Sequence, residues 1–482
     1  MSVHQNFPSL ERLPSYPIWG LLVVSLALPT ILNFLVEVRL EFSDYDTLIY
    51  TLIGKGIFSH GKLPPSYIFD HKPALSYLFY APLAFIQIEA NRYAFLSALF
   101  YTLIGWSTHR LLLRGSKPFW LVLLAVTSAG LGNVGFSGNT EVIFVLFQLI
   151  AVGVLTTVRG DRRSLLLSSL SAVIAVNINY TAAVSLAPAV LFCLYSRSRC
   201  PAHFVRLAVG YATACLLIFA LLLLAFISLG GDAASYVLLQ YRYLSGYGET
   251  RTFPSPVFLI TVAAPLATSV LLLLPAFQPK PMYRNLAIAL TIMMWFSAIS
   301  FVLSGKFFMH YIYALLAPAS VLILTLDFTL AHTRVLLASM LFPFGVYETT
   351  KAAVLNWQAP SDTASSIYAA LKAEVQGEQV ATMGSSVVPF FFSDAEPFHP
   401  FVWIDHARII FGPEEDKFHV DQLLRRPSFV LTGPDTCRTP LDLPDACGLL
   451  ESAYEEADLS LDKPYYNADF GFRLYKLKGS SA

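Results

Sequence analysis

Charge is what this sequence has least of. Only 13% of its 482 residues are charged, and Lys+Arg and Asp+Glu balance at 32 each, for a formal net charge of zero. A chain so balanced offers no basic field to a phosphate backbone and no strong field of either sign to a charged macromolecule, which argues against a nucleic-acid partner. Cysteine is scarce too. There are five, and none stands with a histidine at the spacing of a structural zinc site. No internal repeat and no low-complexity tract breaks the chain.

What is abundant is apolar side chain. Hydrophobic residues make up 55% of the sequence and aromatics 14%, with a mean hydropathy of +0.58, far more than one soluble core needs. The expected fold class is therefore a polytopic α-helical membrane protein. Apolar stretches near the ~20 residues that cross a ~30 Å hydrocarbon core recur at roughly 17–36, 93–113, 118–132, 140–158, 164–178, 181–196, 206–229, 256–276, 285–304, 311–328 and 333–348. The first has no small-residue cleavage site and reads as an uncleaved signal anchor. A further stretch, 73–90, is either a twelfth span or an interfacial helix lying on the membrane. The positive-inside rule decides between them. With 73–90 flat and the N-terminus cytoplasmic, Arg110, Arg114, Arg159, Arg162, Arg197 and Arg199 fall inside, while the short loops opposite hold only Arg242, Arg251 and Lys306. The expectation is about eleven transmembrane helices over 1–350, a first outer loop over about 37–91, and a C-terminus outside.

Beyond 350 the character changes. TASSIYAALKAEV and DKFHVDQLLRR have helical spacing, whereas QVATMGS, SFVLTGP and FGFRLYKLK read as strands. Residues 351–482 are expected to form a soluble α/β domain on the periplasmic side. Cys437 and Cys447 stand ten apart in it, where an oxidising compartment permits a disulfide; Cys193, Cys200 and Cys215 read as small apolar residues.

That topology collects the polar groups of the membrane part on one face. Asp44, Asp46, Asp70, His71, Lys72, Asn139, Glu141, Asn177, Asn179, Lys306 and His310 all fall on the non-cytoplasmic side. Such groups are costly near hydrocarbon unless they pair or line a wet cavity. Asp46 and Tyr50, four apart, share a face of any helix they occupy. A carboxylate, a separate cation and a membrane-surface platform suggest group transfer, with a base for an incoming hydroxyl and a cation for a leaving phosphate. The competing structural readings are plain. Asp46 with Lys72 is also a pair that would tie the loop together, and Glu141 is also an acid favoured at a helix N-terminus with Asn139 or Thr140 as cap. The stretch YRYLSGYGETRTFP (241–254) reads as an exposed loop whose tyrosines suit stacking on a sugar, and DHAR (405–408) carries no assignable role.

Three islands carry a family resemblance. DYDTLIYTLIGKG with PPSYIFDHKPALSYLFY, SGNTEVIFVLF, and GKFFMHYIYALLAPAS resemble the outer loops of the polyprenyl-phosphate-sugar-dependent glycosyltransferases of the GT-C superfamily, among them the protein O-mannosyltransferases and the lipid A aminoarabinose transferases. The resemblance implies an inverting glycosyltransferase, taking a sugar from a polyprenyl-phosphate donor to a glycan, lipid or protein acceptor; the length and compact loops fit a bacterial inner membrane. It implies Asp46 as the catalytic base and Lys72 as the lysine that holds the lipid phosphate. Thr47 stands where many members have a second acid, so Asp44 remains a candidate to share or take the base role. His71, Lys306 and His310 join Lys72 as candidate phosphate ligands, and Tyr50, Tyr67, Asn139 and Glu141 as candidate substrate contacts. Oligosaccharide transfer from a lipid pyrophosphate is the alternative, with a divalent metal at Asp44, Asp46 and Glu141; a transporter is the non-enzymatic one. No cofactor is assigned and metal dependence is left open.

Overall fold

The computed structural model describes residues 27–35, 37–38, 45–86, 91–131, 135–158, 162–249, 253–271, 279–305, 307–326, 363–385, 387–433, 435–437, 443–457, 459 and 472–479. Most of the expected apolar stretches are helices. Arg92–Ser107, Phe119–Leu131, Thr140–Thr157, Arg162–Val176, Thr181–Arg197, Pro201–Ser228, Pro256–Leu271, Arg284–Ser304 and Tyr313–Thr325 follow one another along the chain. Three helical stretches, Thr140–Thr157, Pro201–Ser228 and Pro281–Ser304, are long and apolar enough to cross a membrane; five shorter apolar ones accompany them. The expectation of about eleven spans is met only in part among the described residues, and the proposed span at 333–348 lies outside them, as does most of 17–36.

Local chemistry sets the ends of these helices. Asn91 and Asn139 are N-caps whose side chains accept from the backbone N–H of Tyr93 and Thr140, Pro201 opens its helix at the first turn, and Gly305 closes Arg284–Ser304 in the left-handed region. The Pro201–Ser228 helix is the most exposed, with 6% of its apolar window buried and Leu216, Leu217, Leu221 and Leu224 all open. A face of that composition is stable only against lipid or another apolar surface. Thr140–Thr157 is the opposite, buried along most of its length, and forms the centre of the helical part.

The 73–90 stretch does not form a spanning helix in its described part. It is one α-helix, Ala74–Tyr80, continued by a 3-10 turn over Ala81–Phe85, together too short for a hydrocarbon core at ~1.5–2 Å per residue. Pro82 in the 3-10 turn and a one-sided pattern, Tyr77 and Tyr80 buried but Leu78 and Phe85 exposed, suit a segment lying in an interface.

The C-terminal part carries a five-stranded sheet in the order β2-β1-β3-β5-β4, from Gln379–Met383 (β1), Glu396–Pro397 (β2), Phe429–Thr432 (β3), Tyr454–Glu456 (β4) and Arg473–Leu477 (β5). β1 runs parallel to β2 and β3, and β5 antiparallel to β3 and β4. The helices Thr363–Val375 and Glu415–Leu424 and the strands β1, β3 and β5 occupy the segments whose periodicity indicated them. Cys437 and Cys447 are joined by a disulfide with Cα atoms 5.4 Å apart. One continuous hydrophobic cluster runs from Leu48 and Tyr50 in the helical part to Val380, Phe390 and Leu431 beside the sheet. The two parts therefore share a core, and the sheet is seated on the segment 45–86.

Candidate functional site

Asp46 lies in the first turn of the Tyr45–His60 helix, where the exposed N–H groups favour an acid. It is half-buried, and Tyr50, one turn on, donates its hydroxyl to Asp46 Oδ2 at 3.2 Å. Tyr50 is itself fixed by Tyr80, 5.0 Å between ring centroids, and by Tyr77 at 6.1 Å. Gly54 lets this helix pack on the 3-10 turn: a Cβ there would stand 2.6 Å from Ala81 Cα. The helix and the interfacial segment thus form one rigid platform with Asp46 at its edge.

Asp70, His71 and Lys72 form the next layer. Lys72 is buried, with its backbone N–H donating to Asp70 Oδ2 at 3.3 Å. Burial alone would lower its pKa, but the carboxylates of Glu141, Asp46 and Asp70 outweigh this and raise it, so the ammonium stays charged. It stands 5.9 Å from the centre of the Tyr311 ring. Burial likewise opposes ionisation of Asp70, yet His71, His406 and Lys72 hold its carboxyl below the usual carboxylate range. The main chain here is pinned. Tyr77 and Tyr236 both donate to the Lys72 carbonyl, at 2.8 and 2.6 Å, and Gln240 Nε2 donates to the Asp70 carbonyl at 2.7 Å.

The second loop brings Glu141, fully buried in the first turn of Thr140–Thr157. Asn179 Nδ2 donates to Glu141 Oε1 at 3.1 Å and the Thr140 hydroxyl to Oε2 at 3.2 Å. Asn139 is spent as the N-cap, accepting from Thr140 N at 2.8 Å. Gly138, before it, needs its positive φ of 83°, and a Cβ there would meet Tyr93 Cβ at 2.8 Å. The late loop contributes His310 and Tyr311: the charges of Asp46 and Lys72 both act on His310, and those of Glu141, Asp46 and Asp70 on Tyr311. Asp46, Asp70, Lys72, Glu141 and His310, far apart in sequence, therefore share one electrostatic neighbourhood. Tyr67 stands apart from it, stacked on His60 at 5.3 Å with Lys62 over its ring at 5.5 Å. Asp44 and Lys306 lie outside the described residues.

Three features escaped the sequence reading. Tyr311 sits beside the chosen His310 yet was passed over. The stretch read as a loop at 241–254 is helical as far as Glu249; it completes the helix Ala233–Glu249, whose earlier turns supply Tyr236 and Gln240. His406, from the DHAR segment, reaches Asp70: its Nε2 is 3.6 Å from Oδ1, while His71 Nδ1 is 3.0 Å from the same oxygen. Asp70, His71 and His406 offer three ligand atoms all within 4.8 Å of one another, the only such group among the described residues. Burial drives His406 down to about 4 against the pull of Asp70, which keeps its imidazole neutral and able to ligate. In the oligosaccharide-transfer alternative a metal would sit at Asp44, Asp46 and Glu141, of which Asp44 lies outside the described residues; the donors grouped among the described residues are a carboxylate and two imidazoles, a set suited to a divalent transition metal.

No protein-family model and no curated relative matches the chain in sequence. Solved structures do. The chain is similar to ArnT from Cupriavidus metallidurans in the apo state, with 11% identity over 95% of this chain and 98% of that one at a TM-score of 0.55. It is similar to the same protein bound to undecaprenyl phosphate, with 13% identity, the same coverage and a TM-score of 0.58. The archaeal oligosaccharyltransferase AglB from Archaeoglobus fulgidus, in complex with an inhibitory peptide and a dolichol-phosphate, aligns at 11% identity over 92% of this chain and 73% of that one, with a TM-score of 0.44. At such identities the common property with ArnT is the fold, and it extends over nearly the whole of both chains. This chain has the fold of ArnT.

Proposed function

We propose that the protein is an inverting glycosyltransferase that moves a sugar from a polyprenyl-phosphate donor to an acceptor hydroxyl at the non-cytoplasmic face of a bacterial inner membrane. The observation that carries this reading is the convergence of Asp46, Lys72, Glu141 and His310 from three separate loops onto one partly buried, charge-coupled site. A scaffold has no need to bury such groups together, and a secondary transporter would set them at mid-span. The fold adds support, since one ArnT structure of the same fold is bound to undecaprenyl phosphate.

In this reading the acceptor oxygen attacks the anomeric carbon as the bond from that carbon to the phosphate oxygen breaks. The hydroxyl proton passes to Asp46, and the electron pair leaves with the lipid phosphate. A phosphate needs charge neutralisation more than a proton, and Lys72, charged and partly dry, supplies it where it is worth most. Glu141, held by Asn179 and Thr140, keeps Lys72 in place before the donor arrives. His71 is shielded by Tyr243, whose ring stacks on it at 4.8 Å, and belongs to the support of the loop. A divalent cation bound by Asp70, His71 and His406 would pin the C-terminal part to that loop rather than act on the sugar. The acceptor, whether glycan, lipid or protein, would approach from the outer face.

Transfer of labelled sugar from a polyprenyl-phosphate donor in proteoliposomes tests the proposal directly. Label in a product whose formation ceases in Asp46→Asn supports it. Facilitated passage of a solute without any transfer would replace it with the transporter reading, and activity only with a pyrophosphate donor would favour oligosaccharide transfer.

A further inference from the structure

One face of the Ala233–Glu249 helix grips three consecutive residues of the first outer loop. Tyr236, Gln240, Tyr243 and Tyr247 fall at helical spacing along one stripe. The Tyr236 hydroxyl donates to the Lys72 carbonyl at 2.6 Å, and Gln240 Nε2 to the Asp70 carbonyl at 2.7 Å. Tyr243 and Tyr247 stack on His71 with centroids 4.8 and 5.7 Å away. Tyr236, Gln240 and Tyr243 are buried, whereas Tyr241, on the far side of the helix, is 71% exposed. The stripe therefore reads out the main chain at 70 and 72 and the side chain at 71, and leaves the Lys72 ammonium to the carboxylates.

The C-terminal part is seated against the same helix. A Cβ on Gly246 would come within 3.0 Å of Ile409 Cγ2. Tyr243 and His406 meet edge to face at 5.3 Å, and Phe69, Tyr243, Phe401 and Ala407 make one buried cluster. The Phe69 N–H donates to the Pro400 carbonyl at 2.8 Å. The loop is thus clamped between the helix and the C-terminal part, immediately before Lys72.

We propose that the Ala233–Glu249 helix, backed by the C-terminal part, is the positioning element of the donor-phosphate lysine, with Tyr236 and Gln240 as positioning residues. This rests on the reading of Lys72 given above. A lysine has four rotatable bonds, and its ammonium is held at a phosphate only as well as its backbone is held. Two hydroxyls occupy both lone pairs of the Lys72 carbonyl, and Gln240 fixes the residue two before it. The chemistry served is anion binding, so loss of these bonds should appear in donor affinity and leave the acceptor untouched.

The test measures binding of undecaprenyl phosphate to the full-length protein in nanodiscs, with donor and acceptor KM from the transfer assay. Tyr236→Phe keeps the ring and removes one donor, so undecaprenyl phosphate should bind roughly three- to tenfold more weakly, with donor KM rising and acceptor KM unchanged. Gln240→Met should do the same and serves if Tyr236→Phe does not fold, while Tyr241→Phe should match the wild type. If Tyr236 acts through Lys72, the Tyr236→Phe change should cost nothing further in a Lys72→Ala background. Wild-type affinity in both Tyr236→Phe and Gln240→Met, or full additivity with Lys72→Ala, overturns the proposal while Lys72 keeps its role. Wild-type affinity in Lys72→Ala itself overturns the underlying reading instead.

Discussion

Asp46→Asn separates chemistry from architecture at this site. Asparagine keeps the size of the side chain and a carbonyl oxygen that can still accept the Tyr50 hydroxyl, now 3.2 Å from Asp46 Oδ2, so the helix and its tyrosine packing should persist. What is lost is the ability to take a proton and one negative charge. A positioned base contributes about 10²–10⁴-fold, so turnover should fall by that factor, equivalent to about 3–5 kcal/mol of barrier. The lost charge bears on Lys72 as well, because Asp46 is one of the three carboxylates acting on that ammonium. An incoming phosphate competes with them for it, and removing one competitor should leave donor binding as tight or tighter. The assay pairs single-turnover transfer of labelled sugar with undecaprenyl phosphate binding and thermal unfolding on the same preparation. The expected pattern is slow transfer, undiminished binding and an unfolding temperature near that of the wild type. Normal turnover would refute the base assignment, and a loss of turnover matched by equal losses in binding and stability would reduce Asp46 to a structural member of the loop.

Lys72→Ala should weaken donor binding by ~2–5 kcal/mol, the cost of leaving one member of a buried charge group unpaired, read by the same binding assay; unchanged affinity with normal turnover would make Lys72 a structural residue. His399 supplies a pH dependence: burial, then the neighbouring His419, push its pKa down to about 3, below the ~6.5 of an unfolded histidine. Its contribution to stability is therefore full above ~6.5 and lost as pH falls toward 3, about 2 kcal/mol by pH 5, and thermal unfolding of His399→Gln should show a flatter acid limb than the wild type, with identical limbs counting against the argument. If Asp70, His71 and His406 hold a cation, purified wild type should carry about one equivalent of a divalent metal by elemental analysis and His406→Ala should carry none; equal content in both would remove the site. An impermeant thiol probe applied to intact cells should label neither Cys437 nor Cys447 until a reductant is added, and labelling of both without reductant would oppose the disulfide, while labelling without reductant only after lysis would oppose the outer location.

How much of the site could be read in advance depends on what kind of bond makes it. Asp46 and Tyr50 were legible because a helix places residues four apart on one face, and the structure joins them directly. Lys72 was legible as a cation with no reason to be in an apolar chain, and Glu141 as an acid opening a span. Asp46, Lys72 and Glu141 are charged side chains whose partial or complete withdrawal from water needs explaining, so their presence alone is a signal. Tyr236 and Gln240 give no such signal. They are neutral, their partners are main-chain carbonyls that any residue would supply, and those partners lie 164 and 170 positions away. Gly246, Gly248 and the charged residues after them made 241–254, just beyond Gln240, read as a loop, because single-chain propensity counts the glycines and cannot count the neighbour. Gly246 is the clearest case. Its missing side chain is what admits Ile409 of the C-terminal part, so a residue that argues locally against a helix is the one that lets the helix be clasped. His406 follows the same logic: it is unremarkable among Asp405 and Arg408 until the fold carries it to Asp70. The groups that would do chemistry thus announced themselves through charge, and the groups that hold them still did not, which is why the support of Lys72 had to come from the structure.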